Sequence, residues 1–393
     1  MRILPLRTAL AILVIVPAFA ACHGAGRADA SRSPAPPAEF VLAAGDSTFW
    51  VTSDPTGIHL RGAPLDLARI DGRFFEIYVV DDDHSFQGAD LIGQRVYRRD
   101  LQTGDSTVLF TDSIVPQLAL EYERAHPDDH RLGVHEQPDE QPLLRATATL
   151  DLDAAHGRFF SYSLHTDIER GRATPWHSSR RGVIDVERGG GATVENVSGG
   201  DAAGIVRTRD ASIRSIFDSL RAGHDERSSR ALAEFGRYHV DPGSFAITTV
   251  GGSPAIAYAL LGSGDRGAGH LYDLAPIQFP EPVWWRDAAP GLPIASADGN
   301  RDVWRHGSYM VVVRYDSSGA AKLALRDSTS REWAVGEVSS PARRIYWLDR
   351  PRMDGPARHA LTRAFDEAAT YGSDTRVAVR KPAGPWHLAR NRQ

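Results

Sequence analysis

From Phe40 onward the chain is punctuated by short runs of aromatic and β-branched residues, set between clusters of Gly, Asp and Pro. That rhythm is the mark of strands joined by turns, and it leaves little room for a helical bundle. The clearest strands are predicted at 49–52, 74–80, 96–99, 108–111, 158–165, 183–186, 245–250, 255–261, 309–315, 322–326 and 345–348. Tight polar turns such as Gln102-Thr103-Gly104-Asp105 and Asp316-Ser317-Ser318-Gly319 join several of them as antiparallel hairpins. Three segments carry helical spacing instead: 114–125, 212–220 with a continuation over 229–235, and 356–371. In the last, Ala357, Ala360, Leu361, Ala364, Phe365 and Ala368 form one apolar stripe, and Arg358, Arg363, Asp366 and Glu367 lie off it. The expected class is therefore a β-rich α+β fold, with antiparallel sheets, hairpins and about three helices. A β-propeller-like arrangement is the alternative, because "VYRRDLQTGDSTVLFTD" and "VVVRYDSSGAAKLALRD" look like outer blade strands. No fixed period of about 40 to 50 residues runs through the chain to support it.

The start of the chain differs from this body. Arg2 and Arg7 bracket a charged beginning, and residues 8–20, TALAILVIVPAFA, form an apolar run ending in small residues, as in a signal peptide. A helical span needs about 20 apolar residues, so this run is too short to be one. Phe19-Ala20-Ala21-Cys22 resembles the lipobox of bacterial lipoproteins, with Phe19 where Leu is usual. The resemblance implies cleavage before Cys22, acylation of its thiol and membrane attachment. His23, rather than Asp, after the cysteine implies outer-membrane sorting, facing the periplasm or the surface. Cys22 is the one cysteine of the chain, and lipidation explains an unpaired thiol in an exported protein. Ordinary cleavage after Ala20 is the alternative. Without a second cysteine the body has no disulfides or thiolate metal sites, and its stability must come from its core.

The expected organisation is a leader at 1–21, a flexible tether at 22–39 rich in Ala, Pro, Ser and Gly, and a β-rich region at 40–145. An α+β region at 146–281, a β-rich region ending in the amphipathic helix at 282–381, and a tail at 382–393 complete it. The formal charge of −5 becomes two units more negative once Arg2 and Arg7 leave with the leader. This balance excludes the basic footprint of a nucleic-acid binder.

Residues 146–280 are similar in layout to the extracytoplasmic domain of lysozyme-sensing anti-sigma factors, a domain that also accompanies some membrane-attached peptidoglycan deacetylases. The segments that carry the likeness are "FFSYSLHTDIE", "RRGVIDVERGGGATVENV", "ASIRSIFDSL" and "SFAITTVGGSPAIAYALL". The family's Gly-Gly-Ala-His-Gly turn is replaced here by residues 171–179, "GRATPWHSS". The resemblance implies a binding or accessory unit, with no catalytic residue to carry over.

Four groups invite a chemical reading. Gly251-Gly252-Ser253-Pro254-Ala255 approaches a nucleophile elbow. Pro254 has no N–H for an oxyanion hole, however, and the residues after it alternate as a strand, so a hairpin turn is expected. Asp81, Asp82, Asp83, His84 and Asp90 gather oxygen ligands after a strong strand. Gln87 and Gln94 stand where an EF-hand loop needs ligands, so Asp81, Asp83 and His84 are only weak metal candidates and an acidic hairpin turn is the expectation. His126, His130, His135 and Glu136 have no His-Glu-x-x-His pattern, and Pro127 interrupts a helix between the first two. Trp176, Trp284 and Trp285 lie near arginines and prolines, a setting that suits glycan or peptide binding as well as core packing.

The reading that follows is a lipid-anchored envelope protein with a non-catalytic body that binds or senses a ligand, such as a cell-wall glycan, or another envelope protein. No cofactor is expected. An envelope hydrolase whose site is assembled from distant residues, and a structural assembly factor, remain the alternatives.

Overall fold

The sheets and their register come from a computed structural model. It describes residues 38–44, 47–54, 57–133, 136–262, 270–288, 291–295, 300–317, 321–338, 342–348, 355–371, 378–379 and 387–388. Residues 1–37, which hold the expected leader, Cys22 and the expected tether up to residue 37, lie outside the described residues, as does His135, whereas Ala38 and Glu39, read as the end of the tether, are buried at the start of the fold.

Strand β1 (Glu39–Ala44) is the hinge of the architecture, because all six of its residues are buried. It pairs on one side with β2 (Ser47–Asp54), which pairs in turn with β3 (Gly57–Ala63), and on the other with β20 (Ala342–Trp347). A second sheet runs in sequence order through β15 (Ile294–Ala295), β16 (Arg301–His306), β17 (Tyr309–Tyr315), β18 (Ala321–Asp327) and β19 (Glu332–Val338). Because β3 lies beside β19 and β16 beside β20, the two sheets nearly close into a barrel. Alternation explains what fills it. Phe40, Leu42 and Ala44 point inward with Val51, Trp304, Val311, Val313, Leu323 and Leu325, while Val41 points outward.

The outward face is covered by α6 (Gly355–Tyr371). Its stripe is buried as the spacing predicts, with Leu361 and Phe365 fully enclosed against Val41, Trp50, Leu67, Phe74 and Tyr346. The charges flanking the stripe are also used. Arg358 bonds Glu39 at 2.8 Å, Arg363 donates to the Leu101 carbonyl at 2.8 Å, Asp366 pairs with Arg61 at 2.5 Å and Glu367 with Arg99 at 3.1 Å. Apolar burial thus docks the helix, and polar contacts on either side hold its rotation.

The middle of the chain builds a seven-stranded sheet. β4 (Asp66–Ile70), β5 (Arg73–Asp83) and β6 (Ala89–Asp100) form a meander, and β7 (Ser106–Thr111) pairs with the second half of β6. The first half of β6 pairs in parallel with β8 (Leu144–His156), which continues antiparallel into β9 (Phe159–Arg170) and β10 (Trp176–Asp185). The connection between β7 and β8 carries α1 (Ile114–Ala125), which packs Val115, Leu118, Ala119 and Tyr122 on this sheet. The side chain of Asp112 accepts the N–H groups of Ile114 and Val115 and so caps the helix start.

A further layer follows. α2 (Val194–Ser198) begins with a Thr193/Asn196 capping box, and α3 (Ala202–Ala222) and α4 (Glu226–Phe235) cover the hairpin of β11 (Tyr238–Val250) and β12 (Ser253–Gly262). β12 also pairs with β13 (Leu271–Asp273) and β14 (Ile277–Gln278), and α5 (Val283–Ala288) comes next. A two-stranded ribbon of β21 (Ala378–Val379) and β22 (His387–Leu388) completes the described elements. The fold is the expected β-rich α+β class with antiparallel hairpins. The segments 96–111 and 309–327 are hairpins as predicted. The described helices number six rather than about three. The additions are the short α2 and α5, whose five and six residues are too few to display a period, and α4, the predicted continuation of α3, as a separate helix.

Candidate functional site

The tips of two hairpins open onto one cleft of about 620 Å³. The β4–β5 turn is Asp71-Gly72, both at positive φ, and the β8–β9 turn begins with Gly157 at φ 63°. α5 lies against the second turn, with Trp284 on the cleft wall. A Cβ on Gly157 would stand 3.3 Å from the Trp284 ring and 3.4 Å from its carbonyl oxygen, so glycine serves both the turn and the close approach. The Trp284 indole N–H donates to the Val197 carbonyl at 2.8 Å, and its ring meets Phe159 edge-on at 4.9 Å. This indole is therefore locked in place, as a binding surface requires.

Arg344, on the cleft lining, and His156, buried behind the lining, are less satisfied. His156 and Trp285 are buried and stacked 5.9 Å apart, and Nδ1 of His156 has no hydrogen-bond partner. Burial holds this imidazole neutral, with Arg344 adding to the effect, and together they push its pKa down to about 3. Arg344 itself is 4% exposed, lines the cleft, and has neither Nε nor Nη1 hydrogen-bonded. Its guanidinium rests 4.9 Å over the Tyr346 ring. Among the described residues no carboxylate comes within the 4.0 Å of an ion pair with it. Its neighbour Arg158 shares an Nε without a hydrogen bond but has counter-charges, paired with Glu187 and lying 3.5 Å from Asp185. A buried charge without a counter-charge costs several kcal/mol, and a cation–π contact returns only about 0.5 to 2.

The residues singled out in the sequence are placed as follows. Trp284 lines the cleft, Trp285 is buried beneath it, and Trp176 is 39% exposed on β10, apart from the lining. Asp81, Asp82, Asp83 and His84 stand at the β5–β6 hairpin, each engaged within the chain. Asp81 accepts from Gln94 at 2.9 Å, Asp82 from Arg95 at 2.7 Å with His84 Nε2 at 2.8 Å, and Asp83 from the Ser85 N–H at 3.0 Å. Asp90 lies 3.5 Å from Arg145. His126 stacks on Tyr122 at 4.2 Å, and Glu136 accepts the Gly133 N–H at 2.7 Å with His130 3.9 Å away. Among the described residues no three His, Cys, Asp or Glu side chains are gathered as a metal would need. Gly251 and Gly252, both at positive φ, form the two-residue turn of the β11–β12 hairpin, so Ser253 opens a strand and not a helix.

Sequence reading missed Arg344 and His156. For Arg344 a signal exists. It is in phase along β20 with Tyr346 and Leu348, so a charged residue shares a face with two large buried ones. No helix among the described residues is long and apolar enough to cross a membrane. No family model matches the chain, and no curated protein matches it.

Proposed function

We propose that this chain is a bacterial envelope lipoprotein, anchored through acyl groups on Cys22, whose β-rich body binds a small ligand in the cleft beside Trp284. The anchor rests on the lone cysteine at the end of the apolar leader. The binding role rests on one observation: a cleft of about 620 Å³, within the usual range for small-ligand sites, ends on a polar group that the protein leaves unsatisfied. The groups lining it are guanidinium, carboxylate, amide and indole, and among the described residues none is a serine, cysteine or histidine. That composition supports recognition over nucleophilic chemistry. The order of strands, helix and hairpin from β8 to β12 is in keeping with the resemblance to an extracytoplasmic binding unit.

Two experiments test this. Cys22→Ala should move the mature protein from the membrane to the soluble periplasmic fraction, and retention on membranes would remove lipidation as the anchor. A thermal-shift screen of purified mature protein against small aromatic acids, amides and amines should yield compounds that raise Tm and change indole emission. Both effects should weaken in Trp284→Ala, and a screen without such compounds would refute the cleft as a binding site.

A further inference from the structure

We infer that the ligand of this cleft is an anion, held by a carboxylate or phosphate group seated on Arg344, an inference that rests on the cleft being a binding site. Arg344 is held in place by its surroundings. The strand fixes its backbone opposite Ala43, and the Tyr346 ring lies under its guanidinium. The Gly291 backbone crosses so closely that a Cβ there would lie 2.4 Å from the Ile345 carbonyl oxygen and 3.5 Å from Arg344 Nε. A guanidinium so confined cannot swing out to solvent, and what surface it keeps borders the cleft.

The neighbouring charges do not relieve it. Arg158 already has Glu187, and His156 is held neutral beside it and supplies no negative charge. Water entering the cleft leaves the buried charge unanswered, whereas an oxyanion against the edge of the guanidinium that borders the cleft supplies the counter-charge. Arg69, which donates to the Trp347 carbonyl at 2.8 Å, and the exposed Arg286 share the lining with Asp71, Glu187 and Asp287, so that with Arg158 and Arg344 four guanidiniums face three carboxylates. Trp284 offers a fixed flat surface for the rest of the molecule, so the ligand class is a small organic acid or phosphate ester with a planar or apolar part.

The test compares benzoate, phenyl phosphate and the neutral isostere benzamide on purified mature protein, by indole emission and Tm. At least one anion should bind about tenfold or more tightly than benzamide, and the preferred one assigns the group as carboxylate or phosphate. Arg344→Gln should abolish the preference. Val283→Glu, at a cleft-lining position that is 68% exposed, should weaken the anions several-fold more than it weakens benzamide, and it decides the matter if Arg344→Gln does not fold. Binding of both benzoate and phenyl phosphate no tighter than that of benzamide would overturn the anion inference while leaving the cleft a binding site. Anion binding indifferent to both substitutions would place the anion elsewhere and overturn it too, and no binding of any probe would refute the anion inference itself.

Discussion

The β5–β6 hairpin and the cleft with the groups behind it are both rich in charged and imidazole groups, yet they differ in whether those groups are answered. At the hairpin, Asp81, Asp82 and Asp83 each accept a hydrogen bond from a donor close in sequence or on the facing strand. At the cleft, Arg344 and His156 are taken from water and left with orphaned nitrogens. A dense run of charges in a sequence conveys little, because adjacent residues on a turn readily satisfy each other. One charge without a partner, in a place water scarcely reaches, carries an energy that a ligand can recover.

The largest expected effect concerns acid. In the folded chain His156 stays neutral down to about pH 3, whereas unfolded it takes up a proton below about 6.5. Unfolding therefore binds a proton between those limits. The contribution is fully present above pH 6.5 and falls by about 1.4 kcal/mol per unit on acidification, to a total of about 5 kcal/mol. Urea unfolding of the wild type and His156→Phe at pH 7 and pH 4 should show the smaller acid loss in the variant; parallel losses would mean that His156 is satisfied in solution. Next in size, Arg344→Met should raise stability at pH 7 by about 1 to 4 kcal/mol, because it removes a buried charge and keeps an unbranched apolar stem. A loss of stability would break the contrast between the two regions from the cleft side.

The hairpin should respond less. Asp82, whose side chain is 15% exposed, answers both Arg95 and His84, so Asp82→Asn should cost about 1 kcal/mol. Asp81→Asn should cost less than about 0.5 kcal/mol by the same unfolding assay. Smallest of all is the effect of metal: returning Ca²⁺ or Zn²⁺ to chelator-treated protein should leave Tm unchanged, since a real site at about 100 times its Kd would add about 2.7 kcal/mol. An upward shift abolished in Asp81→Asn would turn the hairpin into a site and reverse the comparison.

Local pattern explains why much of the secondary structure was legible. The 114–125 helix was read at its observed bounds because Val115, Leu118, Ala119 and Tyr122 recur at helical spacing, and the 356–371 helix within one residue for the same reason. The hairpin at Gly251-Gly252 followed from the turn residues together with the alternation of the strand after Pro254. α3 was read only from residue 212 although it begins at Ala202, because its first half has only Ile205 and Val206 as large apolar residues, whereas Ile213, Ile216, Phe217 and Leu220 mark the second half. Of the candidate site, Trp284 was visible as an aromatic beside arginines, but nothing local distinguished it from Trp176, which lies elsewhere on β10.

What the sequence by itself determined is whatever the period and turn chemistry of about ten consecutive residues can specify: the strands, the hairpins and the α6 stripe. Only the tertiary structure decided that β1 pairs with β20 from the far end of the chain, that β6 pairs in parallel with β8, and that two hairpin tips and α5 enclose Arg344. The physical reason is that strand pairing over long separations depends on which burial the whole chain achieves, not on any residue's own preference. Whether a charge ends buried and unanswered depends in turn on every element that passes near it, and Arg344 is enclosed by segments that the sequence holds far apart.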